Sequence, residues 1–130
     1  VRDHLKFLPW APVVFLSAKT GKGLGALLDA VDRVEAARQA RVTTGELNRL
    51  LARATAAFLP KADKGDQAVR ILFGSQIGIA PPTFALSINH PVDLHFSYRR
   101  YLENRIREAF GFEGSPIRIK VRHRRRKGRP

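Results

Sequence analysis

The sequence predicts an α+β fold, in which two helices cover one face of a three-stranded sheet in the order α-β-β-α-β. Three observations predict it. Two segments after residue 43 carry apolar residues at helical spacing, three segments alternate apolar and polar residues, and the composition changes near residue 41. Before that change lie one apolar run and one amphipathic segment, which predict a separate terminal βα unit of an α/β domain.

The first 40 residues are predicted to hold that βα unit. Val1–Leu8 has the spacing of a helix end, and Val13–Leu16 is an apolar run typical of a strand covered on both faces. A loop follows over Ser17–Gly25, and a helix is expected from about Leu24 to Ala40. Its apolar stripe consists of Leu24, Leu27, Leu28, Val31 and Val34.

The helices of the second unit have clear boundaries. Thr43 and Glu46 form a capping-box pattern before the first helix. Its core face is predicted to be Leu47, Leu50, Leu51, Ala54 and Phe58. The second helix is expected from Ser97, as its cap, to Phe110, with Gly111 ending it. Its buried residues are predicted to be Tyr98, Leu102, Ile106, Ala109 and Phe110.

The strands of the second unit are recognised by alternation. The inward-facing sets are predicted to be Val69, Ile71 and Phe73, then Phe84, Leu86 and Ile88, then Ile117, Ile119 and Val121. A turn is expected over Gly78–Pro82. On the third strand Arg118, Lys120 and Arg122 alternate with the apolar set, so they should point away from the helices.

The charge balance favours a polyanionic partner. The chain has 24 Lys and Arg against 11 Asp and Glu, a net charge of +13, so nucleic acid is the first candidate. An anionic membrane is disfavoured, because no separate basic amphipathic helix or membrane-length apolar run occurs. The absence of Cys excludes thiolate metal sites and suits a cytoplasmic protein. We expect a monomer.

Three groups of basic residues are candidates for RNA contact. The first is Arg99, Arg100 and Arg107 on the second helix; alternatively, these only form solvated pairs such as Arg99–Glu103 and Glu103–Arg107. The second is the sheet set Arg118, Lys120 and Arg122. The third is Arg124, Arg125 and Arg126 in a basic tail over 123–130, expected to be disordered.

No catalytic or metal site is expected. The four histidines have no ligand spacing, and no Ser/His/Asp set or carboxylate pair occurs. One loop follows the predicted strand directly: Ser17-Ala18-Lys19-Thr20-Gly21-Lys22-Gly23. It does not match the G-x-x-x-x-G-K-[ST] motif of a phosphate loop. It does lie at the carboxyl end of the strand, where ligands bind in α/β sheets.

Two longer motifs carry a family resemblance. The stretch Phe96-Ser97-Tyr98-Arg99-Arg100-Tyr101-Leu102-Glu103-Asn104, with the Pro81-Pro82-Thr83-Phe84 motif, resembles the C-terminal KH-like domain of the Der (EngA) family of bacterial GTPases. Over 1–40 the chain is similar to the end of that family's second P-loop-type G domain, and over 41–122 to its KH-like domain. Gly111-Phe112-Glu113-Gly114 matches the G-x-x-G of KH domains, but it joins a helix to a strand and carries an acid, so we interpret it as a helix stop and a turn.

The resemblance implies a role and a set of partners. Ser17, Ala18 and Lys19 would border the guanine of GTP or GDP, with the Ala18 N–H meeting the base. The family acts in maturation of the large ribosomal subunit, so the KH-like domain would bind rRNA or the ribosome. The phosphate loop, the Mg²⁺ ligands and the Asn-Lys-x-Asp motif do not occur in these 130 residues. This stretch alone is therefore expected neither to hydrolyse GTP nor to bind a cofactor.

Two functions remain open from the sequence. In the first, the KH-like domain binds rRNA as part of a GTP-binding ribosome-assembly factor. In the second, it is an interaction module that docks on the G domains of its own chain and regulates their GTPase cycle. A free-standing enzyme is disfavoured, because no catalytic constellation occurs.

Overall fold

The computed structural model describes residues 1–123. It contains three helices, α1 (Leu24–Arg38), α2 (Thr44–Ala57) and α3 (Phe96–Phe110). The three strands are β1 (Ile71–Gly78), β2 (Thr83–Ile88) and β3 (Arg118–His123). From α2 onward the order is α-β-β-α-β, so the predicted α+β fold is confirmed. No helix in this part of the chain has the length and apolarity needed to cross a membrane.

The sheet has β2 at its centre. β1 pairs with it antiparallel and β3 pairs with it parallel, which gives the order β1-β2-β3. The parallel connection runs through α3, as a crossover requires. Phe84, Leu86 and Ile88 on the central strand are fully buried beneath α2 and α3, as the alternation predicted.

The core lies between α2, α3 and one sheet face. Leu47, Leu50, Leu51 and Ala54 from α2 meet Tyr98, Leu102 and Ile106 from α3, and all are buried. The capping box at Thr43 is present, since its hydroxyl accepts from the Glu46 N–H and the Glu46 carboxylate accepts from the Thr43 N–H. Of the core residues predicted on these two helices, Phe58, beyond the end of α2, and Ala109, on the outer side of α3, are exposed, and Phe110 is partly buried.

The predicted inward position of Phe73 is wrong because β1 contains a bulge. Ile71 pairs with Ile88, but Phe73 pairs with Ser87, so one extra residue lies on β1. The extra residue reverses the alternation after Leu72. Gly74 then faces α2 and is buried, whereas Phe73 faces solvent with half of its surface exposed.

The N-terminal residues are less regular than predicted. Val1–Leu8 forms isolated turns instead of the predicted helix end, with the His4 and Leu5 N–H groups donating to the Val1 carbonyl oxygen at 3.1 Å. Val13–Leu16 has no strand partner among the described residues, so it forms no ladder. The helix after it is present as α1, but most of its apolar stripe is exposed, and Ala30 is its buried residue.

Two loops of the second unit, one before β2 and one before β3, contact the first 38 residues. The Gly114 N–H donates to the Trp10 carbonyl oxygen at 3.0 Å, and the Ala80 N–H donates to the Arg38 carbonyl oxygen at 2.9 Å. A Cβ on Gly114 would lie 2.3 Å from the Val34 side chain, so only glycine permits this approach. The interpretation of Gly111 as a helix stop agrees with its φ of 93° at the end of α3.

Candidate nucleic-acid interface

The sheet face opposite the helices carries a row of cations on one strand. Arg118, Lys120 and Arg122 are all exposed on β3 and pair across the ladder with Thr83, Ala85 and Ser87. Alternate residues of a strand lie about 6.6 Å apart on one face. The three charges therefore form a straight row at one side of the sheet, as the alternation predicted.

The middle of the same face is made of small side chains. Ser75 pairs with Ala85, and Phe73 pairs with Ser87, so these residues share the outer face with Thr83. Ala85 is only 5% exposed although no helix covers it. Long basic side chains can lay their alkyl stems along such a surface. The result is a shallow floor between Phe73 at one edge and the cations at the other.

The strand residues on this face carry positive charge and no negative charge. The three strands contain no Asp or Glu, so no strand carboxylate neutralises the row. Within residues 1–123, none of the ion pairs involves Arg118, Lys120 or Arg122. Unpaired cations on a smooth sheet face suit the phosphates of a nucleic-acid backbone.

Two of the three candidate arginines on α3 make internal contacts. Arg99 donates to the Ile119 carbonyl oxygen at 2.7 Å and forms a salt bridge with Asp93. Arg107 donates to the carbonyl oxygens of Phe112 at 2.9 Å and Ser115 at 3.0 Å. Its guanidinium also lies 5.0 Å from the centre of the Trp10 ring. Both side chains thus hold loops against α3.

Arg100 differs from its two neighbours in α3. It is exposed, and no ion pair within residues 1–123 includes it. The alternative pairs predicted around Glu103 do not form; the observed pairs are Arg99–Asp93 and Arg105–Glu108. Burial raises the pKa of Glu103 even though Arg107, Arg99 and Arg100 act to lower it. Arg100 is the α3 cation best placed for an external phosphate.

The Ser17–Lys19 loop forms a tight turn after the extended segment. The Ser17 N–H donates to the Lys22 carbonyl oxygen at 2.8 Å, and the Gly21 N–H donates to the Ser17 carbonyl oxygen at 2.8 Å. Ala18 and Lys19 are exposed, and no hydrogen bond within residues 1–123 uses the Ala18 N–H. A backbone N–H without an internal acceptor is available as a donor to a ligand, and the guanine contact that the resemblance implies stays a prediction.

The third group of candidate cations was the basic tail. Arg124, Arg125 and Arg126 lie outside the described residues, while His123, which opens the predicted tail, is the last residue of β3. Among the described residues no three carboxylates, histidines or cysteines come together as a metal site.

Three polar side chains that the sequence did not single out hold the edge strand β1. The Asn48 amide exchanges two hydrogen bonds with the Gly74 backbone, at 2.8 and 2.9 Å. Gln76 accepts from the Val42 N–H at 2.6 Å and donates to the Ala40 carbonyl oxygen at 3.0 Å. Asn89 accepts from the Arg70 N–H at 2.8 Å. No local pattern indicates these bonds, because each joins residues at least 19 positions apart.

Comparison with known proteins agrees with this architecture. Residues 41–122 match the family described as KH-domain-like of EngA bacterial GTPase enzymes, C-terminal. The chain is 45% identical over 124 residues to the protein named GTPase Der of Thermoanaerobacter pseudethanolicus. It is 46% identical over 124 residues to that of Desulfitobacterium hafniense strain DSM 10664 / DCB-2, and 46% identical over 125 to that of Moorella thermoacetica. The matches cover 95–96% of this chain but 28% of each relative.

Proposed function

This chain belongs to the family of KH-like domains at the C-terminus of EngA GTPases, and we propose that it binds ribosomal RNA as part of a GTP-binding ribosome-assembly factor. The observation that carries the proposal is the row of Arg118, Lys120 and Arg122 on a sheet face free of strand carboxylates. Exposed Arg100 lies on the side of α3 that faces away from the sheet, so it adds positive charge to the domain without joining this row. The large-subunit role and a cytoplasmic location follow from the same family proposal.

The remaining basic candidates have different parts in this proposal. Arg124, Arg125 and Arg126 add charge beyond β3 and steepen the salt dependence. Arg99 and Arg107 contribute to the positive field while their guanidinium groups hold loops, so their substitution acts on folding as well as on RNA.

The nucleotide belongs to the parent protein in this proposal. Ser17, Ala18 and Lys19 border the guanine of GTP or GDP there, supported by the Ala18 N–H, which has no hydrogen-bond acceptor within residues 1–123. The Mg²⁺ and phosphate contacts come from residues outside this sequence. The purified 130-residue chain is therefore expected to show no GTP turnover, which a phosphate-release assay checks.

Charge reversal on the sheet face tests RNA binding. In the full 130-residue chain, the double variant Arg118→Glu, Lys120→Glu should weaken binding to a labelled transcript of bacterial large-subunit rRNA at least tenfold. It should also flatten the dependence of log K on log salt, because each lost phosphate contact removes about 0.7 to 0.9 from the slope. Filter binding between 50 and 300 mM KCl measures both quantities.

The matched control reverses two cations on the opposite side of the domain. Arg49→Glu, Arg53→Glu changes the net charge equally, but both residues are exposed on α2. If the control weakens binding as much as the sheet variant, only net charge matters and the assigned face is wrong. A flat salt response of the unaltered chain would exclude the RNA function itself.

A second function is favoured by the contact between the Gly114 loop and the first 40 residues. Arg33 and Glu113 form an ion pair at 3.3 Å, and the Trp10 carbonyl oxygen accepts from the Gly114 N–H. In this alternative the KH-like domain docks on G domains and reports their nucleotide state. Gly114→Ala would then alter GTP turnover of the parent protein while leaving rRNA affinity unchanged.

A further inference from the structure

We propose that the open sheet face stacks an unpaired RNA base on Phe73 while Arg122, in the same cross-strand row, holds a phosphate of that strand. The ligand is therefore single-stranded RNA, such as a loop, and not a duplex. This inference rests on the proposed RNA function and deepens it by naming the form of RNA that this face takes.

The position of Phe73 is the first support. Phe73 is 50% exposed on β1, at the outer face where Ser87 is its ladder partner. The bulge at Leu72 turns Gly74 into the core instead, so the aromatic ring contributes little to core packing. An exposed phenyl ring at a sheet surface offers a π-face to any base, whatever its sequence.

The cross-strand row is the second support. Phe73 pairs with Ser87, and Ser87 pairs with Arg122, so one line across the sheet runs from an aromatic ring to a cation. Two strand spacings of about 4.8 Å separate its ends by about 10 Å. Stacking platforms beside a cationic track are how proteins hold single strands.

The floor between the two ends is the third support. Ser75, Ala85 and Ser87 are small, so no large side chain occupies the β2 ladder positions between Phe73 and the cations. No hydrogen bond within residues 1–123 uses the Ser75 or Ser87 hydroxyl. Both hydroxyls can therefore donate to or accept from a base edge lying across the face.

A duplex does not use these features. Double-stranded RNA is bound through phosphates and 2′-hydroxyls across its grooves, with its bases stacked on each other. The cations alone would serve that purpose, and an aromatic ring in the same row would have no partner. An unpaired base uses the ring, the hydroxyls and the cation together.

Fluorescence anisotropy on the full chain tests the proposal with two probes, a 12-nucleotide fluorescein-labelled single-stranded RNA and the 12-base-pair duplex of the same sequence. Phe73→Leu keeps an apolar side chain of similar size but removes the π-face. It should raise the Kd for the single strand between about 5-fold and 150-fold, with the salt slope unchanged. The duplex Kd should stay within twofold, and Phe73→Tyr should retain binding.

Two further variants separate stacking from general effects. Leu72→Ala removes an apolar side chain of similar exposure, 47%, from the adjacent position and should leave single-strand binding unchanged. Arg122→Gln should lower the single-strand salt slope by about 0.7. Thermal unfolding of each variant verifies that the fold is intact before Kd values are compared.

The outcomes distinguish this inference from the proposed function. If neither probe binds with a steep salt response, the RNA function fails. If binding is steep but Phe73→Leu matches the unaltered chain, or if it weakens the duplex equally, the stacking site is wrong while RNA binding stands. Unchanged RNA binding by Phe73→Leu is also what a protein ligand on this face would produce.

Discussion

Close packing restricts which residue can occupy position 74, where the backbone of β1 lies against leucine side chains of the core. A Cβ there would lie 2.6 Å from the Leu51 side chain and 3.0 Å from the Leu86 side chain. Both leucines are buried in the core, with 3% of Leu51 and 0% of Leu86 exposed. Glycine is therefore favoured at this position by the packing of α2 on the sheet, because a Cβ would force these leucine side chains to move.

We expect Gly74→Ala to lower the free energy of unfolding by about 1–3 kcal/mol, because an added methyl group overpacks a filled core. Urea unfolding of the full chain, followed by far-UV circular dichroism, measures it. Gly78→Ala is the matched control on the same strand. A Cβ there meets Thr83 at 3.6 Å, an ordinary contact. Equal stability of both variants would contradict the packing argument.

Phe58, which was predicted to lie in the core, instead contacts two tyrosines of α3. The Tyr98 hydroxyl donates to the Phe58 carbonyl oxygen at 2.8 Å, and burial raises the Tyr98 pKa to about 12. The Phe58 ring was predicted to continue the core face of α2. Because α2 ends at Ala57, that ring instead packs edge-on against Tyr101 with centroids 5.3 Å apart.

Among the elements, α3 is tied to both of its flanks through Arg99. This side chain joins the loop before α3, through Asp93, to the Ile119 backbone on β3. The cap of α3 belongs to the same region: the His95 ring nitrogen accepts from the Ser97 N–H at 3.1 Å, so His95 and not Ser97 is the cap. The arginine predicted to contact RNA thus orients the strand that carries the cation row.

The Asp93 pair predicts a defined pH dependence. Burial acts to raise the pKa of Asp93, but the hydrogen bonds from Arg99 and from the Leu94 N–H, with the Arg99 charge, hold it below its ordinary value. A lowered folded-state pKa stabilises the fold above the unfolded-state pKa of about 3.9, and this contribution is lost as pH falls through the folded value.

We therefore expect Asp93→Asn to cost less than about 1 kcal/mol at pH 7, since the pair is partly exposed and screened, and to cost less still below pH 4. Urea unfolding at pH 3, 4, 5 and 7 measures the difference from the unaltered chain. Asp66→Asn, at an exposed loop carboxylate, is the control. A difference that stays constant from pH 7 to pH 3 would exclude the Asp93–Arg99 interaction as its cause.

The whole molecule has a well-packed part and a sparsely packed part. The core cluster and the apolar residues packed on it lie between Ala40 and Val121. In α1, by contrast, Leu24, Leu28 and Val31 are each more than half exposed. Regions with few buried apolar contacts open at lower free energy than the core.

We expect the first 38 residues to lose structure before the rest. Trp10, the single tryptophan, lies in that part against Arg107, so its fluorescence reports release of the N-terminal segment. The change in Trp10 fluorescence should occur at a lower urea concentration than the loss of circular dichroism at 222 nm. The amides of α1 should also exchange hydrogen faster than those of α2 and α3. Coincident transitions would contradict this and indicate one cooperative unit.

The sequence by itself determined the α-β-β-α-β order, the capping box at Thr43, the burial of Phe84, Leu86 and Ile88, and the outward row on β3. These features follow from local periodicity, which depends on near neighbours in the chain. It also determined the family, through motifs in α3 and before β2.

Only the tertiary structure decided which side of the sheet Phe73 occupies, because a bulge is defined by pairing with another strand. It alone decided that Asn48 holds β1 and that Arg99 and Arg107 bind loops, since those partners are distant in sequence. The stripe on α1 has the pattern of a buried face but stays exposed, because periodicity shows which side can be buried and only packing covers it.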